Sequence, residues 1–219
     1  APPPGSHHAF KAAVTSLAIM ALIRPHVAAV VMVGVAGALL YTKHMSKKAK
    51  VLLAPIAAMG LVFLALRASD KLGVGFSADS MSEFVEQQQH FGAEYGGGAD
   101  LASLPLPLKI FSLLFRPIFF DTDSWMQRVA SIENAALLYI FGYLAYNWRT
   151  LLTLARNVLY VCYALIFSGL LILLLSLVNY NIGLGQRQKF MAIPLVLILY
   201  GTVYIYKQYR SKVGRGVSA

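Results

Sequence analysis

The sequence predicts an all-α protein: a polytopic transmembrane helical bundle of about 5–6 spans, with a re-entrant or interfacial segment near 108–120. Three observations carry this. Hydrophobic residues make up 58% of the 219 and charged residues only 13%, where a soluble domain has about a quarter of its residues charged. The apolar residues come in unbroken blocks such as LYVCYALIFSGLLILLLSLV at 159–178, with neither the alternation of a β-barrel strand nor the polar face of a soluble helix. The net charge is +10, and the basic residues sit mostly at block ends. There they orient helices against anionic lipid, so no nucleic acid partner is expected.

Residues 1–11 read as a flexible leader. His7 and His8 are adjacent within it, and neither a metal nor a cofactor is expected. Apolar blocks follow at 12–23, 26–42, 51–66, 134–146, 158–178 and 190–206. Only 158–178 comfortably reaches the roughly 20 residues a span needs. The others need flanking Tyr, Trp, Lys or Arg to complete them. The N-terminal transmembrane helices occupy 12–66, with a tight turn at 24–26. The alternative is one long helix over 12–42 broken at Pro25. The single cysteine, Cys162, lies inside an apolar block, so it forms no intramolecular disulfide.

Charge sets the orientation. The stretches TKHMSKKAK (42–50), NWRTLLTLARN (147–157) and the tail 207–219 are all basic and contain no acid. By the positive-inside rule all three are cytoplasmic, and they agree on one topology. All nine acidic residues fall between 70 and 133, in what becomes an extracytoplasmic loop, 67–133. A short surface helix is expected near 77–90 and a flexible glycine-rich stretch at 92–100. The segment 108–120 carries Arg116–Pro117 and ends before Asp121 and Asp123. If it crossed, the later loops would invert, so it is expected to lie at the outer interface or to dip in and return. The C-terminal three transmembrane helices fill 134–206, with Glu133 and Asn134 at their start.

This topology gathers Arg24, Arg116, Arg187 and Lys189 on the outer side, against the usual bias. Charges beside apolar helices normally face a bundle interior or a wet cavity. Arginine's planar fork binds phosphate bidentately, so these four read as an anion or lipid-headgroup site. His26 is a candidate base for a sugar hydroxyl. Asp121 and Glu133 are further catalytic candidates. Each residue also has a plain structural reading, as a helix anchor, a snorkelling cation or a helix start. The tyrosine runs read first as interfacial belts.

Four motifs, IRPHVA (23–28), LFRPIFF (114–120), SIEN (131–134) and NIGLGQRQKFMAIP (181–194), together resemble the C-terminal half of a group of bacterial polytopic membrane proteins. Those look like surface-polysaccharide polymerases or lipid-linked-sugar glycosyltransferases. The resemblance implies a bacterial inner membrane location and a polyprenyl-diphosphate-linked sugar bound outside near Arg24, Arg116 and Arg187. It also implies further spans upstream of this chain. The stretch IFFDTDSW (118–125) departs from the Pro-Trp-Glu-like continuation expected after the FRP motif.

Two functions therefore compete. One is an enzyme, or part of one, acting on lipid-linked sugar. The other is a non-catalytic transmembrane scaffold held among other transmembrane subunits of a larger complex. A transporter built on helices broken at Pro25 and Pro117 ranks third.

Overall fold

The computed structural model describes residues 6–43, 104–121, 124–178 and 182–216, with isolated positions between 46 and 90. The apolar block at 51–66, the expected surface helix near 77–90 and the glycine-rich stretch 92–100 lie outside the described residues apart from those positions. So does Asp123.

Among the described residues the chain is all-helical, with eight α-helices and no strand. They are α1 (Ser6–Ile23), α2 (Pro25–Tyr41), α3 (Leu106–Phe115), α4 (Trp125–Tyr146), α5 (Trp148–Asn157), α6 (Leu159–Val178), α7 (Ile182–Lys189) and α8 (Ile193–Gly216). A 3-10 turn covers Phe119–Asp121. Helix α1 begins inside the segment read as leader.

Among the described residues, two helices are long and apolar enough to cross a membrane: Trp125–Tyr146 and Leu159–Leu177. The remaining apolar helices, Val14–Ile23, Pro25–Tyr41 and Leu106–Phe115, are shorter. The first of the two long helices extends well before the apolar block at 134. A capping box explains this: the Ser124 side chain accepts from the Gln127 backbone N–H, and the Gln127 side chain accepts from the Ser124 N–H. That reciprocal pair satisfies two otherwise orphaned donors and fixes the helix start. Glu133 and Asn134 consequently lie in the third turn of α4, not at its opening.

Between α1 and α2 a single residue, Arg24, leaves helical geometry, at φ −136° and ψ 72°. Pro25 opens α2, where its missing N–H costs nothing. His26 belongs to the first turn of α2.

Helix α6 is the hub and packs on α2, α3, α5 and α8. Its contact with α2 depends on small residues. Gly34 and Ala38 are buried on α2, and a Cβ built on Gly34 would lie 3.1 Å from the Tyr163 ring and 3.3 Å from Phe167. Small residues spaced one turn apart let two helices approach closely. One apolar cluster joins Ala38, Leu144, Leu151, Leu154, Val161 and Val203. Another joins Val30, Leu113, Leu114, Leu137, Leu171 and Ala192.

Hydrogen bonds bring the three basic segments to one end of the bundle. The Lys43 N–H donates to Arg156 O at 3.3 Å. Lys207 Nζ donates to Asn147 Oδ1 at 2.5 Å. Lys50 Nζ donates to Leu40 O and Thr42 O at 2.5 and 2.7 Å, satisfying carbonyls that the end of α2 leaves open.

Candidate functional site

The opposite end is built on the break after α3. This helix has ten residues, about 15 Å at 1.5 Å per residue. That is half the hydrocarbon thickness of a bilayer, about 30 Å. Its last four residues, Ser112 to Phe115, are all buried, so neighbours enclose this turn on every side. Pro117 cannot continue the helix and pushes Arg116 into extended backbone, at φ −87° and ψ 148°. The Arg116–Pro117 peptide is cis.

A helix ending in a buried place leaves carbonyls in need of donors. Helix α7 supplies them. Gln186 Nε2 donates to Arg116 O and approaches Leu113 O at 3.5 Å. Lys189 Nζ donates to Leu114 O at 3.2 Å, placing a cation at a helix C-terminus, where the dipole favours it. Helix α4 supplies the rest. Asn134 Nδ2 donates to Pro117 O at 3.0 Å. Ser131 Oγ lies 3.1 Å from Pro117 O and 2.9 Å from Gln127 O, sharing one proton between them.

Lys189 and Asn134 also meet each other, Nζ to Oδ1, at 2.5 Å. An ammonium only donates, so the amide must present its oxygen to Lys189 and its NH2 to Pro117 O, as found. Lys189 is 1% exposed and Asn134 3%. The oxygens that accept from this buried cation, Leu114 O and Asn134 Oδ1, are both neutral. Burial pushes its pKa below the ordinary lysine value, and the charge of nearby Glu133 opposes that shift in part.

Of the four residues expected to bind an anion, Lys189 is turned inward and holds the helix break together. Arg24 is exposed and its Nη1 lies 3.7 Å from the Met191 sulfur, which ties the α1–α2 corner to the segment just after Lys189. Arg116 is half-buried at the break and Arg187 is exposed on α7. Three stretches far apart in sequence, at 24, 113–117 and 186–191, are thus joined at one end. Among the catalytic candidates, Glu133 is exposed on α4 beside Asn134, and His26 is half-buried in α2. Asp121 closes the 3-10 turn, and its side chain lies outside the described residues. Among the described residues no group of three or more His, Cys, Asp and Glu forms a metal site.

Sequence reading missed Gln186 and Ser131. A signal was present: Gln186 and Lys189 in a polar stretch, and Ser131 and Asn134 beside an apolar one, are two polar pairs spaced i, i+3. Each puts two polar groups on one helix face.

Comparison with family models, curated proteins and solved structures finds no match for this chain.

Proposed function

We propose that the chain is a polytopic integral membrane protein of a bacterial inner membrane, with its tail in the cytoplasm. Its Arg24–Arg116–Arg187 end holds the phosphate or diphosphate head of a lipid-linked sugar, in a surface-polysaccharide transferase or polymerase system. Membrane embedding is supported by α4, whose apolar window is only 22% buried within the chain. Val129, Ile132 and Leu138 stand exposed along it. A soluble protein rarely leaves so much apolar helix surface open to water on several sides.

The single observation that carries the anion site is the joining of three cation-bearing segments by the contacts of Met191, Lys189 and Gln186. These fix Arg24, Arg116 and Arg187 on the same end while Lys189 serves as their internal brace. The chemistry suits a ligand with an apolar tail and a diphosphate head, because guanidinium forks pair with phosphate bidentately. The polysaccharide assignment itself rests on the four-motif resemblance.

The test is photocrosslinking in nanodiscs with a diazirine-bearing polyprenyl diphosphate and the matching neutral polyprenyl alcohol. The diphosphate should label peptides around 24, 116 and 187, and R24Q/R116Q/R187Q should cut labelling roughly tenfold or more, since hydrogen bonds to charged groups contribute most where desolvated. Equal labelling by alcohol and diphosphate sinks the anion site.

The scaffold reading has one observation of its own. Tyr139 and Tyr143 of α4 interleave with Tyr200 and Tyr204 of α8, with ring centroids 5.1–6.5 Å apart. The row lies between the Asn134–Lys189 and Asn147–Lys207 pairs, and Tyr139 and Tyr204 are exposed. Tyr139 and Tyr200 hydrogen-bond each other and the Tyr204 hydroxyl accepts from Gln208 Nε2 at 3.3 Å, so what stays uncovered is the aromatic flank of Tyr139 and Tyr204, which a covering transmembrane subunit fits. A monomer by light scattering in gentle detergent, alone and after co-expression with its genomic neighbours, would count against it.

A further inference from the structure

The basic end carries a second cationic surface that the anion site does not use. Helix α5, Trp148–Asn157 between caps Asn147 and Val158, connects the two long apolar helices. Leu151, Leu154 and Ala155 are buried against the core. Arg149, Leu152, Thr153 and Arg156 are exposed. Their spacing, i, i+3, i+4 and i+7, puts them in one stripe, with the two arginines about 10 Å apart along the axis. Trp148 stands exposed beside them, with the Arg149 guanidinium 5.6 Å from its ring centroid.

The arginines are positioned rather than loose. Arg156 Nε donates to the Tyr41 hydroxyl at 3.0 Å, and its guanidinium lies 5.9 Å from that ring. This anchors the inner nitrogen and leaves both terminal NH2 groups without a hydrogen bond among the described residues. Exposed Lys43 is held alongside through its backbone bond to Arg156 O. No acidic residue occurs in 42–51, 147–159 or 207–219, so nothing on these segments neutralises the patch.

We propose that the α5 stripe, with Arg149 and Arg156 as its forks and Trp148 and Leu152 as its apolar edge, docks anionic lipid headgroups of the adjoining leaflet. It rests on the reading of the chain as membrane-embedded and is independent of the sugar-lipid site. Two features favour lipid over a soluble polyanion. The cations alternate with large apolar side chains, which suits an interface where one part is wet and the other is hydrocarbon. The helix also joins the ends of the two helices able to span, which sets it at headgroup depth. Each basic residue near an anionic surface contributes about a fivefold preference.

The chain has two tryptophans, Trp125 and Trp148, so the W125F variant makes Trp148 the sole reporter. It is reconstituted in phosphatidylcholine vesicles containing an equal fraction of brominated phosphatidylglycerol or brominated phosphatidylcholine. Trp148 should be quenched roughly twofold or more strongly by the anionic lipid. The preference should vanish in W125F/R149Q/R156Q with unchanged circular dichroism, and should fade in 1 M salt, where screening acts over about 3 Å. Equal quenching by both lipids overturns the headgroup site while leaving membrane embedding intact. Quenching by neither overturns both. A single-stranded oligonucleotide that shifts Trp148 emission where brominated phosphatidylglycerol shows no preference makes this a nucleic-acid face and refutes the proposal.

Discussion

Asn134 stands between a buried ammonium and a buried carbonyl, and replacing it with leucine breaks both contacts. Lys189 then keeps Leu114 O at 3.2 Å as its remaining partner. Pro117 O keeps Ser131 Oγ at 3.1 Å, so the carbonyl is not stranded. The main cost is the ammonium. Losing a hydrogen bond to a charged group costs about 1.5–3 kcal/mol, and leaving a buried charge short of partners moves the figure toward 3–5 kcal/mol. N134L is therefore expected to destabilise by about 3 kcal/mol. K189M removes the charge and leaves Asn134 Oδ1 and Leu114 O each lacking a donor, for about 2 kcal/mol after the gain in apolar burial. The double variant has neither a stranded charge nor a stranded amide oxygen. It should cost no more than K189M alone, giving a coupling of at least about 3 kcal/mol. The assay is reversible unfolding in mixed micelles titrated with sodium dodecyl sulfate, read by tryptophan fluorescence and far-UV circular dichroism. Additivity of the two single changes within about 0.5 kcal/mol would refute the pairing.

The same lysine predicts a pH dependence. Burial lowers the folded-state pKa of Lys189 below the ordinary value of 10.5. Between those two values the unfolded chain holds the proton and the folded chain has released it. Stability should therefore rise with pH across that window, relative to K189M, and a flat difference between the two proteins would rule it out. G34L should destabilise by about 1–3 kcal/mol through overpacking, because Tyr163 and Phe167 already lie 3.1–3.3 Å from a Cβ at that position. G142L, where a Cβ meets nothing within 4 Å, is the control and should unfold like the parent. Cys162 is 2% exposed, so maleimide should label it only with the unfolding midpoint of the whole chain; rapid native labelling would show that α6 is not the enclosed hub. In a C162A background, cysteines placed at Ser124 and Thr153 should face opposite sides of the membrane. An impermeant reagent should reach Ser124→Cys in intact cells and Thr153→Cys only after lysis, and labelling of both from outside would reject the topology.

Much of this organisation is visible in the chain itself. The helical class follows from unbroken apolar blocks, and the clustering of the three basic segments follows from their lack of acids. The break at Arg116–Pro117 is also legible, because proline forbids the preceding residue a helical backbone. The start of α4 was not: it depends on Ser124 and Gln127 exchanging hydrogen bonds, and the apolar count that marks a block begins only at 134. The role of Lys189 was not legible either. A lysine in a polar linker beside Arg187 reads as one more outward-facing cation for an anion, and only the place where α3 ends shows that carbonyls await its ammonium.

The sequence by itself determined the helical class, the break at Arg116–Pro117 and which ends carry charge, because hydropathy, proline geometry and charge placement act over one or two turns. Only the tertiary structure decided which cation is spent inside and which face outward. Lys189 and Arg187 are two residues apart on one short helix, yet one is sealed against Asn134 and Leu114 and the other is exposed. That difference depends on how α7 is rotated against α3 and α4, and the rotation is fixed by donors and acceptors more than fifty residues away.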